Sequence, residues 1–448
     1  MGKIFGTDGA RGVAGKEITP ELAFWIGKAS ATVLSKDNEK PVFVIGKDTR
    51  ISGDMLENAL IAGLTSMGAD VIRAGVIPTP AVAYLVLRYE ADAGVVISAS
   101  HNSYEFNGIK LFNNEGFKLD DSIQDEIEDI IINKTESELA CNENIGRVFD
   151  KINEGHDLYI DFLLSTIDVK LEGIKVVLDC ANGAAYSVAP KVYERLGAEV
   201  ITIGNEPNGI NINDNCGSTK TAQLCKKVVE VKADVGLAYD GDADRLMVVD
   251  ELGNEVNGDI TLGICAEVLK NRGELYDNRV TATVMSNIGF HKFIKEINAK
   301  VDITNVGDRY VIESMLRTGC VLGGEQSGHI IFLNYTTTGD GTLSSLQFVK
   351  ALIHSGKKVS ELASRIEMYP QVLENAKVKN EHKHDYTEDV EVQVMINEVE
   401  REMEGQGRVL IRPSGTEPLV RVMIEGQDIE QITAYAKNIA SLLERKFG

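Results

Sequence analysis

The fold class is visible in one stretch of sequence, Ala93-Gly94-Val95-Val96-Ile97-Ser98-Ala99-Ser100-His101-Asn102. Its apolar run leads directly into a polar loop, which is the pattern of a buried strand whose carboxyl end carries a site. Similar apolar runs bounded by glycine-containing loops and helix-like segments recur at residues 42–45, 175–178, 235–239 and 281–285. Continuous apolar strands are typical of sheets covered by helices on both faces. The pattern therefore predicts repeated α/β units.

The order of these elements predicts four domains, although a length of 448 residues alone suggests about three. Three consecutive blocks share the strand, loop and helix order, and a smaller α+β pattern follows from about residue 368. We expect α/β domains at residues 1–153, 154–254 and 255–367 and the α+β domain at 368–448. The last helix carries an apolar stripe, which consists of Ile429, Ile432, Ala436, Ile439, Leu442 and Leu443.

Composition excludes several function classes. Lys and Arg total 46 against 68 Asp and Glu, which gives a formal net charge of −22. Nucleic acids and anionic membranes attract basic surfaces, so we expect neither as a partner. The six cysteines form no CxxC pair, which favours buried free thiols in a reducing compartment. Because no apolar run approaches about 18 residues and no signal peptide is visible, we expect a cytoplasmic protein.

Ser100 is the candidate nucleophile, because it follows the strand at 93–97 where open α/β sheets bind ligands. The alternative is an ordinary serine-rich strand exit. A Ser-His dyad is disfavoured, because adjacent residues of an extended chain point to opposite sides and would keep His101 from bonding Ser100. The G-x-S-x-G elbow of many hydrolases is also absent. Lys110 is near in sequence and is the candidate base that activates Ser100.

Asp240, Asp242 and Asp244 are the candidate metal ligands, with only Gly and Ala between them. Three carboxylates this close repel each other unless a cation holds them, and oxygen ligands suit Mg²⁺ beside a phosphate. An EF-hand is a competing interpretation, because Glu251 would occupy the last ligand position of its loop. Arg245 stands where that loop needs glycine, which argues against it. A solvated acidic turn is the second alternative.

Three further loops offer groups suited to phosphate or sugar. Residues 412–418 with Arg421 combine two hydroxyls, a glycine and two guanidiniums, which suit a phosphate dianion. A Pro-Ser-Gly turn is the alternative, but it leaves the arginines unexplained. Residues 323–329 hold a carboxylate, a hydroxyl and an imidazole that can bond sugar hydroxyls, although a tight turn also explains their glycines. The opening loop, 6–12, offers backbone amides and Arg11 to an anion.

Together, in this order, the loops resemble those of the α-D-phosphohexomutase superfamily. Its marks are a serine loop like 98–102, a metal loop like 240–245, a sugar loop like 324–329 and a C-terminal phosphate loop. The resemblance runs from Phe5 to the last helix. It implies four domains around a central cleft, three of them with a shared α/β core. It also implies that Ser100 is carried as phosphoserine and exchanges its phosphoryl group with a sugar phosphate.

The resemblance assigns a role to each loop. Lys110, Arg11 and His101 would flank the phosphoryl transfer. One Mg²⁺ per chain would act as cofactor, with a hexosamine bisphosphate as intermediate and activator. The implied ligands form three sets: for the metal, the Ser100 phosphate, Asp240, Asp242 and Asp244; for the sugar, Glu325, Ser327 and His329; and for the phosphate that is not transferred, Arg412, Ser414, Gly415, Thr416 and Arg421.

Within the superfamily, residues 5–9, 307–311 and 324–329 are most similar to the branch that acts on amino-sugar phosphates. This implies an isomerase, monomeric or homodimeric, that interconverts glucosamine 6-phosphate and glucosamine 1-phosphate and supplies peptidoglycan precursors. Mutases of neutral hexose phosphates, which typically have Met where Gln326 stands, are the first alternative. A non-catalytic sugar-phosphate-binding protein is the second, and the intact Ser100, Lys110 and aspartate trio argue against it.

Two residues depart from the superfamily pattern on the far limb of the serine loop. Ser103 stands where Pro usually follows, and Phe106 stands where this branch commonly has Asp. Neither change affects Ser100 or Lys110. Because proline restricts the backbone, its absence puts the rigidity of this limb in question.

Overall fold

The first block of the chain is a seven-stranded sheet flanked by helices. The computed structural model describes residues 4–6, 8–35, 40–135, 138–414 and 417–448. The strands in this block are β1 (Phe5–Gly6), β2 (Gly9–Val13), β3 (Val42–Lys47), β4 (Asp70–Val76), β5 (Ala93–Ile97), β6 (Phe106–Asn113) and β7 (Val148–Asp150). The helices are α1 (Pro20–Leu34), α2 (Gly53–Ser66), α3 (Thr79–Arg88), α4 (Asp121–Asn133) and α5 (Ile152–Ser165).

The second block is a five-stranded sheet and the third a four-stranded sheet. The second block contains β8 (Lys175–Asp179), α6 (Ala189–Arg195), β9 (Glu199–Ile203), α7 (Ala222–Val231), β10 (Val235–Tyr239), β11 (Leu246–Val249) and β12 (Glu255–Val256). The third contains α8 (Gly258–Asn271), β13 (Arg279–Thr283), α9 (Ile288–Glu296), β14 (Lys300–Thr304), α10 (Asp308–Thr318), β15 (Leu322–Gly324), β16 (Ile330–Phe332), α11 (Gly341–Ser355) and α12 (Val359–Ala363).

The three sheets share one four-stranded core, which confirms the predicted fold class. The strand orders β4-β3-β5-β6, β9-β8-β10-β11 and β14-β13-β15-β16 are the same arrangement repeated along the chain. In each core the third strand pairs in parallel with one neighbour and antiparallel with the other. The serine, metal and sugar loops each follow that third strand. A common topology therefore places all three loops at equivalent positions.

The C-terminal block is a separate α+β layer, as the sequence predicts. Its antiparallel sheet has the order β17-β19-β18. Its elements are β17 (Gln371–Lys377), α13 (Val390–Glu402), β18 (Arg408–Pro413), β19 (Leu419–Glu425) and α14 (Ile429–Phe447). The apolar stripe of α14 is buried from Ile432 onward, whereas Ile429 is 50% exposed. Including Ile429 in the stripe was wrong, because this first helical residue precedes the buried face by almost one turn.

The chain divides into two compact units. One comprises residues 1–285 and 298–364, and the other comprises residues 286–297 and 365–448. Helix α9, although it lies within the third block in sequence, thus belongs with the C-terminal block. The predicted domain boundaries and the central cleft stay predictions.

Two local features concern helix capping and cysteine chemistry. Thr19 caps α1 by accepting a hydrogen bond from the Leu22 amide, and Pro20 is the first helical residue. All six cysteines are free thiols, and four of them are buried, whereas Cys141 is exposed. Within the described ranges, none of the helices has both the length and the apolar character that a membrane span requires.

Replacing Ile432 and Ile429 separately tests where the buried face of α14 begins. Ile432→Ala should lower the free energy of unfolding by about 2 to 5 kcal/mol, because it removes buried methyl groups and leaves a cavity. The matched change Ile429→Ala should cost about 0.5 kcal/mol or less. Urea denaturation followed by circular dichroism measures both. Equal losses would place Ile429 in the core.

Candidate active site

Ser100 lies in the loop after β5, with its hydroxyl directed at the metal loop. Its Oγ donates a hydrogen bond to Asp240 Oδ2 at 2.6 Å and lies 3.2 Å from His101 Nδ1. Ser100 is buried and has a φ of +50°, in the left-handed region that residues other than glycine rarely occupy. The candidate nucleophile therefore combines a strained backbone with a hydroxyl held by a carboxylate.

The expectation that His101 would point away from Ser100 was wrong. It assumed an extended chain, but the left-handed turn at Ser100 brings the two side chains to one side. A hydrolase-type dyad still gains no support from this contact. Burial, followed by the positive charges of Arg245 and Arg11, lowers the pKa of the His101 imidazole to about 4. His101 is therefore a weak base near neutral pH.

Asp240, Asp242 and Asp244 converge just past the end of β10. Each offers a carboxylate oxygen within 4.8 Å of those of the other two. All three residues are buried, which excludes the solvated acidic turn. The EF-hand is excluded as well, because β11 begins at Leu246, directly after Arg245, where that motif would continue its loop.

The aspartate trio fits a hard divalent cation. Burial first, and then the negative charges of Asp244 and Asp242, hold the pKa of Asp240 well above its usual range. Within the described residues, the buried Oδ1 atoms of Asp242 and Asp244 have no hydrogen-bond partner. Buried carboxylate oxygens without donors are costly unless a cation meets them. Oxygen ligands in this number suit Mg²⁺ with room for a phosphate oxygen.

Lys110 lies among these carboxylates and is fully buried. Its Nζ donates to Asp242 Oδ2 at 2.9 Å and lies 3.6 Å from Asp244 Oδ2. Burial alone would lower its pKa, but Asp242, Asp8 and Asp244 outweigh burial and hold the pKa well above the ordinary lysine value. In this state the carboxylates favour the protonated cation, and the role of Lys110 as a base stays a prediction.

A second group of charges joins the opening loop to the third block. Arg11 Nη2 donates to Asp8 Oδ2 at 2.7 Å, and Asp8 also lies 3.1 Å from Lys110 Nζ. Lys118 bridges Asp8 and Asp308, with each nitrogen–oxygen distance at 2.5 Å. The charge of Arg11 acts on both His101 and Lys110, and its place beside the transferred group stays a prediction. Thr7, in the same opening loop, lies outside the described residues.

The sugar loop is fixed against the metal loop. The Leu246 amide donates to Gly328 O at 3.0 Å, and a Cβ at Gly328 would lie 2.0 Å from Leu246 O. Only glycine fits there, and its φ of +89° also requires it. His329 is buried, with Nδ1 3.7 Å from Asp244 Oδ2. The sheet thus brings His329 next to the metal ligands.

The other two predicted sugar ligands lie on the same turn. Glu325 Oε1 accepts a hydrogen bond from the Gly307 amide at 3.0 Å, and Ser327 is exposed. Glu325 therefore joins the sugar loop to the start of α10. The hydroxyl of Ser327 and the second carboxylate oxygen of Glu325 are suited to sugar hydroxyls.

The predicted phosphate loop lies in the C-terminal unit. Arg412 and Arg421 are direct partners across β18 and β19, an arrangement that is destabilising for like charges unless an anion joins them. Burial, and then the charge of Arg421, lower the pKa of the Arg412 guanidinium. Ser414 is buried, and its carbonyl accepts a hydrogen bond from Lys383 Nζ at 2.8 Å. Gly415 and Thr416 lie outside the described residues.

Several site residues escaped the sequence reasoning. Thr79 donates from Oγ1 to Asp242 Oδ2 at 2.6 Å, and Asn213 and Arg50 both bond the backbone of the serine loop. The position of Arg50 just past the apolar run 42–45 was a usable signal, because it matches the position of the serine loop after its strand. Nothing adjacent to Asn213 in sequence marks it out.

Comparisons with known proteins agree with this geometry. Four families match, described as Phosphoglucomutase/phosphomannomutase alpha/beta/alpha domains I, II and III and the C-terminal domain, at residues 2–138, 157–253, 257–369 and 373–442. A phosphoglucosamine mutase from Caldanaerobacter subterraneus subsp. tengcongensis is 56% identical over 448 residues, which cover 100% of both chains.

Solved structures show the same fold. A phosphoglucomutase/phosphomannomutase family protein from Burkholderia thailandensis matches with a TM-score of 0.83 at 22% identity, covering 99% of this chain and 98% of that one. An Aspergillus fumigatus N-acetylphosphoglucosamine mutase, in complex with GlcNAc-6P and magnesium, matches with a TM-score of 0.68 at 16% identity, covering 100% and 96%.

The fold and the loops define an enzyme of the phosphohexomutase class. With matches along almost its whole length, the chain belongs to the phosphoglucomutase/phosphomannomutase family. Members of this family are built as four domains in the order that the sequence predicts. The roles of the individual site residues do not follow from family membership and are proposed below.

Removing one carboxylate should separate metal binding from stability. Asp240→Asn should leave the metal-free protein as stable as the parent or more stable, because it removes one of three repelling charges. The parent's thermal midpoint should rise with Mg²⁺, as for any ligand that binds the folded state, and this rise should be lost in the variant. Thermal unfolding with and without Mg²⁺ measures both effects.

The matched control for this experiment is Asp214→Asn, since Asp214 is an exposed carboxylate that accepts a hydrogen bond from the neighbouring Asn215. It should retain the full Mg²⁺-dependent rise. A rise in Asp240→Asn equal to that of the parent would show that the trio is not the metal site.

Proposed function

We propose that this protein interconverts glucosamine 6-phosphate and glucosamine 1-phosphate through a phosphoserine at Ser100. The observation that carries the phosphoryl chemistry is the 2.6 Å hydrogen bond from Ser100 Oγ to one of three buried, converging aspartates. The choice of amino sugar rests on relatives named phosphoglucosamine mutase, 53–56% identical over the full chain. The product serves the synthesis of amino-sugar nucleotides and peptidoglycan precursors.

The reaction consists of two phosphoryl transfers in opposite directions. In the first, the bond between phosphorus and Ser100 Oγ breaks and a bond forms to the free C1 oxygen of glucosamine 6-phosphate. The sugar hydroxyl loses its proton and Ser100 regains one, which leaves glucosamine 1,6-bisphosphate. The intermediate turns around, and its C6 phosphoryl group returns to Ser100. Glucosamine 1-phosphate and the phosphorylated enzyme result, so no phosphate is consumed.

Charge neutralisation and alignment are what the chain's residues supply to this transfer. Lys110 acts as a fixed cation beside the reacting group, and its high pKa supports that role over a base. Arg11 and His101 flank the transferred group. Asp240, Asp242, Asp244 and the phosphate of Ser100 would hold a Mg²⁺, which would supply positive charge to the phosphoryl oxygens.

The remaining loops bind the parts of the substrate that do not react. Glu325, Ser327 and His329 bond the sugar hydroxyls. The phosphate that is not transferred is bound by a set of hydroxyl, amide and guanidinium groups, namely Arg412, Ser414, Gly415, Thr416 and Arg421. The cross-strand pairing of Arg412 with Arg421 supports this role, because a dianion relieves the repulsion between their charges.

Mutases of neutral hexose phosphates use the same machinery, so substrate choice is the sharpest test of the proposal. With Mg²⁺ and a trace of hexose 1,6-bisphosphate, glucosamine 6-phosphate should be turned over with a higher kcat/KM than glucose or mannose 6-phosphate. Coupled assays on the three substrates measure this directly. A higher kcat/KM for either neutral sugar would reverse the assignment. No turnover of any of the three would favour a non-catalytic binding protein.

The phosphoserine can be tested by mass. The purified enzyme, charged with glucose 1,6-bisphosphate, should gain the mass of one phosphoryl group, and phosphatase should remove it. Ser100→Ala should lose both the added mass and turnover. Ser103→Ala is the matched control in the same loop, because Ser103 is exposed and should keep both. Turnover retained in Ser100→Ala would refute the covalent mechanism.

A further inference from the structure

The backbone of the serine loop is held by donors that lie outside it. Ser100 occupies the left-handed region at φ +50°, and Ser103 stands where the resemblance to the superfamily leads us to expect proline. A side chain in that region persists only where its surroundings hold it. The groups that hold the loop are therefore the donors that bond its backbone carbonyls.

Arg50 supplies the first set of donors. Its Nη2 donates to Ser100 O at 2.9 Å and to Asn102 O at 2.8 Å. Its Nη1 donates to Phe106 O at 3.1 Å and also to Ser103 O. The guanidinium is fully buried. All five of its N–H groups donate hydrogen bonds, because Nε donates to the Asp48 carboxylate.

Asp48 joins Arg50 to the amide of Ser100. Asp48 Oδ2 accepts from Arg50 Nε at 2.8 Å and from Ser98 Oγ at 2.6 Å. Ser98 Oγ in turn accepts a hydrogen bond from the Ser100 amide at 2.9 Å. Both backbone polar groups of Ser100 are thus fixed, while its Oγ bonds Asp240 instead.

Asn213, from the second block, holds the same two carbonyls from another direction. Its Nδ2 donates to Ser100 O and to Asn102 O, both at 2.9 Å. Each of these carbonyls therefore has two donors, one from Arg50 and one from Asn213. Asn213 has a φ of +57°, and its amide donates to Ala181 O at 2.8 Å.

We propose that Arg50, Asp48 and Asn213 are positioning residues that keep Ser100 in its reactive conformation. The proposal rests on the phosphoserine function proposed above. The three residues bond the loop backbone or Ser98, so their effect on the reaction passes through the orientation of Ser100. Hydrogen bonds from two blocks of the chain thereby supply the rigidity that Ser103 does not.

Asn213→Gly tests the proposal with little backbone strain, because glycine accepts a positive φ. It should lower kcat at least tenfold and leave KM for the sugar phosphate within twofold. Single-turnover phosphorylation of Ser100 by glucose 1,6-bisphosphate, followed by intact mass, should slow by the same factor. The matched control is Asn215→Gly, because Asn215 also has a positive φ and, among the described residues, its side chain bonds only the neighbouring Asp214. It should keep kcat within twofold.

Two conservative variants separate positioning from folding. Asn213→Asp keeps the size of the side chain but turns an oxygen toward two carbonyls, so kcat should fall at least as far as in Asn213→Gly. Arg50→Lys keeps the charge beside Asp48 but offers fewer donors, and kcat should fall about a hundredfold or more. Thermal unfolding of each variant shows that the assayed protein is folded.

Unchanged kcat in folded Asn213→Gly would overturn the proposal, as would a rise in KM without a fall in kcat. The parent, assayed in parallel, keeps the two proposals distinct. A parent that takes up no phosphoryl group would refute the phosphoserine function itself. A parent and an Asn213→Gly variant phosphorylated at equal rates would refute only the positioning role.

Discussion

The buried ammonium of Lys110 is the constraint on which the candidate site depends. It lies within 3.6 Å of carboxylate oxygens from Asp8, Asp242 and Asp244, which come from two different sheets. Carboxylates that converge away from water repel each other and lose hydration, so a cation at this point is required for the blocks to come together. Because its charge is already paired, Lys110 is held as a fixed electrostatic element.

The repeated core explains why these groups meet at all. In each α/β block the site loop follows a strand with a parallel neighbour on one side and an antiparallel neighbour on the other. The strand order reverses between this strand and its parallel neighbour, which is where open α/β sheets bind their ligands. Three such loops in one compact unit place a serine, a carboxylate trio and a histidine within reach of each other.

Features that depend on short-range pattern were predictable from the sequence. The apolar runs predicted the strands, and the close spacing of Asp240, Asp242 and Asp244 predicted their convergence. Features that depend on backbone turns or long-range charge were not. The left-handed turn at Ser100 defeated the argument about His101, and the raised pKa of Lys110 was not foreseen because its carboxylate neighbours are distant in sequence. Asn213 acts on Ser100 across 113 positions, which no local pattern encodes.

The net charge of −22 does not decide whether the site binds phosphate, because the charges close to Ser100 decide it. Around Ser100 the ammonium groups of Lys110 and Lys118 are already paired with carboxylates. The buried Oδ1 atoms of Asp242 and Asp244 still lack donors in the described part of the chain, so the protein alone is poorly prepared for a phosphate dianion there. A divalent cation at the trio would reverse that balance, because it would satisfy those oxygens and add positive charge beside Ser100. An acidic protein can therefore bind a small dianion at one point while its surface repels extended polyanions.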